Sequence, residues 1–291
     1  MTPSTLTGIA PDLSLNYPDR SIFTMSATPA LAEFLDILRS SGHTAEHYLA
    51  QHFPRFIGTF TTFQSTWAPE RGRRVLDVGA HWLHQSVLFA MQGFDVVALD
   101  LPSTLALPDV KALANAHRIQ LLECPDLANP TQLDALPENS FDVILFTEII
   151  EHITFNPVAM WRQIHRVAAP GARIVVTTPN YYALRAMLVR LQRTLAGAGG
   201  GLPVADILRQ PTHAHHWKEY SLGELHRYFS LLSPDFRIAK QKRTYWPPAQ
   251  KNPRHALASL AYALAPLCKP GLHVEVELIG KSHGIQIEPH W

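Results

Sequence analysis

RRVLDVGAHWLHQSVLFAMQGFDVVALDL, residues 73–101, decides the fold. RRVLDVGA at 73–80 is a β-branched apolar run closing on Asp77 and Gly79, the pattern of a buried parallel strand that turns into a helix. SVLFAMQG at 86–93 supplies that helix, with Gly93 placed as its C-terminal cap. FDVVALDL at 94–101 repeats the strand and again ends on an acid, Asp100. Together they make a βαβ unit.

Working outward, residues 108–117 carry helical spacing, IQLLECPDL at 119–127 reads as a third strand and FDVILF at 141–146 as a fourth. Asn156 and Pro157 open a helix, PVAMWRQIHRVA, which Pro170 and Gly171 stop before a fifth strand, ARIVVTTPN at 172–180. FRIAKQKRTYW and LHVEVELIGK alternate as two more strands, separated by the helix RHALASLAYALA. The expected fold is α/β: a doubly wound, mostly parallel seven-stranded sheet. Ligands of such sheets lie beyond the carboxyl ends of the strands, where Asp77, Gly79, Asp100, Asp126 and Glu148 fall.

Residues 1–27, rich in Pro, Ser and Thr, read as an irregular N-terminal arm, and residues 28–70 as a helical cap. The core is expected over 71–291, with 181–220 an insertion that covers the site. Within it lie the amphipathic helix YYALRAMLVRLQRTLA, the break GAGGGLP and the cluster HAHH at 213–216, followed by a helix with Ser221 as N-cap.

Lysine and arginine total 25 against 24 acids, so no global field points to nucleic acid. Two distant cysteines, Cys124 and Cys268, fit a reducing cytoplasm and exclude a disulfide framework or a thiolate zinc site. No stretch has the length of a membrane span, and the start lacks a basic region followed by an apolar run. The expectation is a soluble cytoplasmic protein. Of 16 histidines, His43, His47, His52, His165, His226 and His255 are scattered singly and read as surface or satisfied core residues.

An acid about twenty residues beyond a glycine turn, at the end of the next strand, suits the hydroxyls of a nucleoside ribose. Asp100 stands 21 residues after Gly79. A dinucleotide enzyme would need glycines for its pyrophosphate, and AHWLHQS at 80–86 is a poor match. In VLDVGA, VVALDL, PDL at 125–127 and SFDVILFTEIIEHI at 140–153, the sequence resembles the class I S-adenosylmethionine-dependent methyltransferases over about residues 73–229. The resemblance implies S-adenosylmethionine as cofactor, held by Asp77, Gly79, Ala80, His81, Asp100, Leu101, Asp126, Leu127 and Thr147. Where that family has G-x-G-x-G, Gly79 is followed by His81 and Leu83, side chains expected to crowd the methionine part of the cofactor.

FTEIIEHI at 146–153 raises the chemical question. On a helical turn Glu148, Glu151 and His152 share one face, as a divalent metal site, an acid/base site or a solvated helix start. The ExxEH pattern is similar to the metal motif of the small-RNA 2′-O-methyltransferases and of the ubiquinone-pathway O-methyltransferases. By that resemblance His216 in HHWKEYSLGEL completes a set of Glu148, Glu151, His152 and His216 for Mg²⁺, Mn²⁺ or Zn²⁺. His213 and His215 are read as loop surface, and Trp217 and Tyr220 as packing residues. The reaction implied is O-methylation of a hydroxyl on a saccharide or other small-molecule diol. Two alternatives stand: an RNA ribose 2′-O-methyltransferase using KQKR at 240–243 as a basic patch, or a non-catalytic scaffold with an eroded cofactor turn.

Overall fold

The computed structural model describes residues 28–43, 46–199, 201–247 and 253–289. The expected arm at 1–27 lies outside the described residues. Two helices come first, α1 (Leu31–Ser40) and α2 (Glu46–Gln64). Then β1 (Arg74–Val78), α3 (His84–Met91) and β2 (Asp95–Asp100) form the βαβ unit. It continues through α4 (Pro102–Leu105), α5 (Pro108–His117), β3 (Gln120–Glu123), β4 (Phe141–Thr147), α6 (Val158–Val167) and β5 (Ala168–Pro179). Helices α7 (Leu184–Leu195), α8 (Val204–Arg209) and α9 (Leu222–Leu232) precede β6 (Phe236–Thr244), α10 (Pro253–Leu264) and β7 (Gly271–Leu278).

The seven strands lie in the order β3-β2-β1-β4-β5-β7-β6, parallel throughout except for β7, which runs antiparallel to both neighbours. Because side chains alternate across a strand, each central strand feeds two cores. Leu76, Ile144 and Phe146 join Trp161 and Phe229 on one face. Val75, Val143 and Leu145 meet Phe60, Phe63 and Phe89 on the other. The N-terminal helices therefore complete the second core, with Phe60 against Phe89 at 4.9 Å in an edge contact.

One boundary differs from expectation. Pro170 and Gly171 do not separate α6 from β5; the strand begins at Ala168 and takes both in. Its register with β4 jumps from Phe141↔Ala168 to Val143↔Arg173, and Gly171, at φ +82°, supplies the left-handed residue of that bulge. Ser221 caps α9 as expected, in a capping box with Glu224.

Candidate active site

Beyond the carboxyl ends of β1, β2 and β4 lies a cavity of about 710 Å³. Asp77, Gly79, Ala80, His81, Asp100, Leu101, Leu127 and Thr147 all line it. Asp126 does not: it is exposed, and its carboxylate accepts from the Ala128 N–H. Glu148, Glu151, His152 and His216 line the same cavity.

The turn after β1 is built from unusual backbone. Gly79 has φ +74°, and a Cβ there would run into the Ile149 side chain. His81 and Leu83 are also left-handed, at φ +49° and +63°. A bulky residue with such a φ is strained. Asp100 holds the turn in place: one carboxylate oxygen accepts from the His81 N–H at 2.6 Å and the other from the Leu101 N–H at 2.7 Å. Leu83 packs its fully buried side chain into the second core rather than into the cavity. The conformation usual for glycine is thus kept without it.

After β4 the chain departs from the expected helical turn. Glu148 still donates its N–H to Thr177, as a strand residue would, then turns left-handed at φ +56°. Only Ile150–His152 form a short 3₁₀ turn. Glu148 is thereby swung away from Glu151 and His152 and pairs with Arg55 of α2 at 3.0 Å. The groups that converge are Glu151, His152 and His216, whose ligand atoms all lie within 4.8 Å of one another.

Each member of this cluster is oriented. Glu151 is 0% exposed; one oxygen accepts from the Thr178 hydroxyl at 2.9 Å, and the other, Oε1, has no partner. His152 Nδ1 lies 3.1 Å from the His215 carbonyl, which only accepts, so Nδ1 carries the proton and Nε2 keeps its lone pair. His216 stands edge-on to the His152 ring at 4.8 Å. His215 is itself buried, a correction to its reading as loop surface, and His213 lines the cavity. Tyr220 packs in the core as expected.

The methyltransferase-domain family matches residues 22–232 of this chain. The chain belongs to that family. A curated relative, the ubiquinone biosynthesis O-methyltransferase of Caulobacter sp. (strain K31), is 31% identical over 154 residues, covering 52% of this chain and 55% of the relative. The chain thus spans about half the length of the curated relative it matches. The S-adenosylmethionine-dependent methyltransferase of Mesorhizobium loti superposes with a TM-score of 0.51 at 17% identity, over 78% of this chain and 97% of that one. The PH0226 protein of Pyrococcus horikoshii OT3 gives 0.52 at 14% identity, over 78% and 92%. At these identities the solved structures share the fold. The cofactor of the methyltransferase domain is S-adenosylmethionine.

Electrostatics of the methyltransferase site follow from burial. Asp77, 1% exposed, is pushed up to about 7 by burial, against the Ser86 hydroxyl that bonds it at 2.6 Å; Asp100 adds to the rise. Burial and then the Glu148 charge raise Glu151 well above the usual carboxylate range. Burial and the neighbouring His216 lower His152, leaving a neutral imidazole at pH 7.

The sequence reading missed one wall of the cavity. Tyr48, His52, Arg55 and Phe56 line it from α2, and Trp82, His84 and Gln85 from the turn and start of α3. The available signal was the i, i+4, i+7, i+8 spacing on α2, one helical face. His52, read as a surface or satisfied core histidine, lines the cavity and is lowered to about 4 by burial and by Arg55.

Proposed function

We propose that this chain transfers the methyl group of S-adenosylmethionine to an oxygen of a small-molecule acceptor, a hydroxyl of a saccharide or other diol. The observation that carries the reading is the convergence of Glu151, His152 and His216 in the same cavity as Asp77, Gly79 and Asp100. Two of the Asp100 lone-pair sites are taken by backbone N–H groups, which leaves the carboxylate capacity for ribose hydroxyls. Leu127, Leu101 and Thr147 then line the nucleoside side.

The acceptor oxygen attacks the methyl carbon, the carbon–sulfur bond breaks with its electron pair going to sulfur, and the hydroxyl proton must leave. Where no cation is held there, His152 is the base: its Nε2 lone pair is available because Nδ1 is committed to the His215 carbonyl. A divalent cation fits the same residues. The orphaned Glu151 Oε1, His152 and His216 form a mixed oxygen and nitrogen donor set, and the carbonyl behind His152 is the kind of support that orients ligating histidines. When bound, Mg²⁺, Mn²⁺ or Zn²⁺ makes a nearby hydroxyl more acidic. With or without it, Glu151 and His216 aim the acceptor. Glu148, turned toward Arg55, acts at the wall instead.

A small acceptor is favoured over RNA by the charge of the cavity. Arg55 is the one lysine or arginine among its lining residues, and it is paired with Glu148. KQKR lies on the edge strand β6, where Lys240 donates to the Thr62 carbonyl and the Ser65 hydroxyl.

Isothermal titration of chelated protein with S-adenosylhomocysteine, with and without Mn²⁺, tests the reading. Micromolar binding that Asp100→Ala weakens by about tenfold or more is expected, followed by methyl transfer to a diol probe such as catechol that His152→Ala abolishes. Absence of binding in both conditions would refute it and favour a non-catalytic scaffold.

A further inference from the structure

Three residues far apart in the chain, Asp109, His43 and His84, form a hydrogen-bonded line that ends in the active-site cavity. His43, one of the singly scattered histidines, is 4% exposed; its Nδ1 lies 2.5 Å from Asp109 Oδ2 in the first turn of α5. Its Nε2 lies 3.2 Å from His84 Nε2 at the first residue of α3. His84 is 3% exposed, and it lines the cavity together with Tyr48, Phe56 and Trp82.

The carboxylate fixes which nitrogen carries each proton. A carboxylate only accepts, so His43 Nδ1 holds the proton and Nε2 of the neutral ring holds a lone pair. His84 Nε2 therefore donates to that lone pair, and Nδ1 of His84 is left as an acceptor. Nδ1 makes no hydrogen bond among the described residues. Burial, and then the charges of His43, His81, His52 and Arg55, lower His84 to about 3, so it is neutral at pH 7.

The ring is also held in place. Tyr48 stacks on it at 5.7 Å, and Phe56 tilts against it at 5.6 Å. Turning the ring over would leave the buried His43 Nε2 without a donor. His52 and His81 on the same wall differ: neither ring has a hydrogen-bond partner among the described residues, so nothing selects their tautomers. His84 alone of these three presents a defined acceptor. Such a group favours an O–H or N–H of a ligand and disfavours a carboxylate. S-adenosylmethionine brings an α-ammonium, and a diol brings a hydroxyl besides the one that is methylated.

We propose that His84 Nδ1 is a specificity-determining contact for a hydrogen-bond donor of the bound ligand, the cofactor ammonium or the second hydroxyl of the acceptor, with His43 and Asp109 as positioning residues. The hydroxyl source rests on the diol reading above; the ammonium source does not. The test is isothermal titration of the full chain, in chelator, with ligand pairs that differ by one donor. The first pair is S-adenosylhomocysteine and its deamino analogue; the second, with S-adenosylhomocysteine bound, is catechol and phenol. The wild type should prefer the donor-bearing member of one pair by about tenfold or more, and that pair identifies the source. His84→Phe keeps an aromatic ring without the lone pair, and Asp109→Asn releases the His43 tautomer. Each should remove the preference while holding affinity for the member without the donor within about twofold, a pattern that misfolding would not give. Nitrogen-15 NMR of the ligand-free wild type should find the proton on His84 Nε2 and on His43 Nδ1. No preference in either pair, a preference that survives in both variants, or a His84 proton on Nδ1 would overturn the proposal. Failure of both catechol and phenol to bind would refute the diol reading, and the first pair would then decide the His84 contact by itself.

Discussion

Glu151→Gln separates the two states that the Glu151 pocket allows. The carboxylate is fully buried, with Oε2 bonded to Thr178 and Oε1 without a partner. An unsatisfied buried acceptor costs about 1–3 kcal/mol, more when charged. Burial, then Glu148, raise the Glu151 pKa, so without metal the folded protein holds a proton that the unfolded chain has released. That stabilising term is complete below the unfolded value of 4.5 and is lost as pH rises through the folded value. Glutamine keeps the Thr178 bond and carries no charge. In chelated protein the variant should therefore gain on the wild type with rising pH, by about 1–3 kcal/mol, or roughly 2–6 °C in thermal midpoint.

Added Mn²⁺ should reverse the order. At about a hundred times its dissociation constant a ligand stabilises by about 2.7 kcal/mol, and only the wild type has the carboxylate oxygen beside His152 and His216 to bind it. Scanning calorimetry of both proteins across the pH range, with chelator and then with Mn²⁺, reads both effects. Midpoints that coincide at every pH would show that Glu151 carries no buried-charge penalty. Equal Mn²⁺ shifts in the two proteins would remove Glu151 from the metal set.

Gly79→Ala places a Cβ against Ile149 at φ +74°, so S-adenosylhomocysteine affinity should fall about tenfold or more by titration, with a loss of about 1 kcal/mol or more in urea. Leu83→Gly relieves about 1–2 kcal/mol of backbone strain but deletes a fully buried side chain worth about 3–5 kcal/mol; a net loss of about 1–4 kcal/mol in urea is expected, and unchanged stability would refute the packing argument. Asp77, at about 7 in the fold and 3.8 in the unfolded chain, contributes stability that is full below 3.8 and lost as pH rises through about 7. Asp77→Asn should flatten the decline of stability between those values in denaturant titrations, and an unaltered pH profile would sink that assignment.

The sheet was legible because its signals are local. Apolar runs closing on Asp77, Asp100 and Phe146, Ser221 as an N-cap and Gly93 as a helix end each declare a boundary within a few residues. What the sequence hid depends on partners far along the chain. Glu148 was taken for a helical residue, yet its conformation is set by an N–H that still belongs to the sheet and by Arg55, some ninety residues away on α2. The same distance concealed the α2 wall, since the spacing of Tyr48, His52 and Arg55 puts them on one helical face but does not say what that face meets until the helix is laid on the sheet.

The cofactor turn shows the converse. Its sequence lacks two of the expected glycines, and crowding of the cofactor was the natural inference. Both positions nevertheless keep positive φ, at His81 and Leu83. The Asp100 carboxylate fixes the His81 N–H, and the second core draws the Leu83 side chain away from the cavity. Glycine is one way to reach a left-handed backbone. A neighbouring acceptor and a buried side chain are another, at the cost of strain that the surrounding contacts must hold. The turn therefore depends on Asp100 twice, once for its own shape and once for the ribose it is proposed to bind. For that reason Asp100→Asn, which leaves one acceptor oxygen where two N–H groups converge, should disturb His81 as well as cofactor affinity.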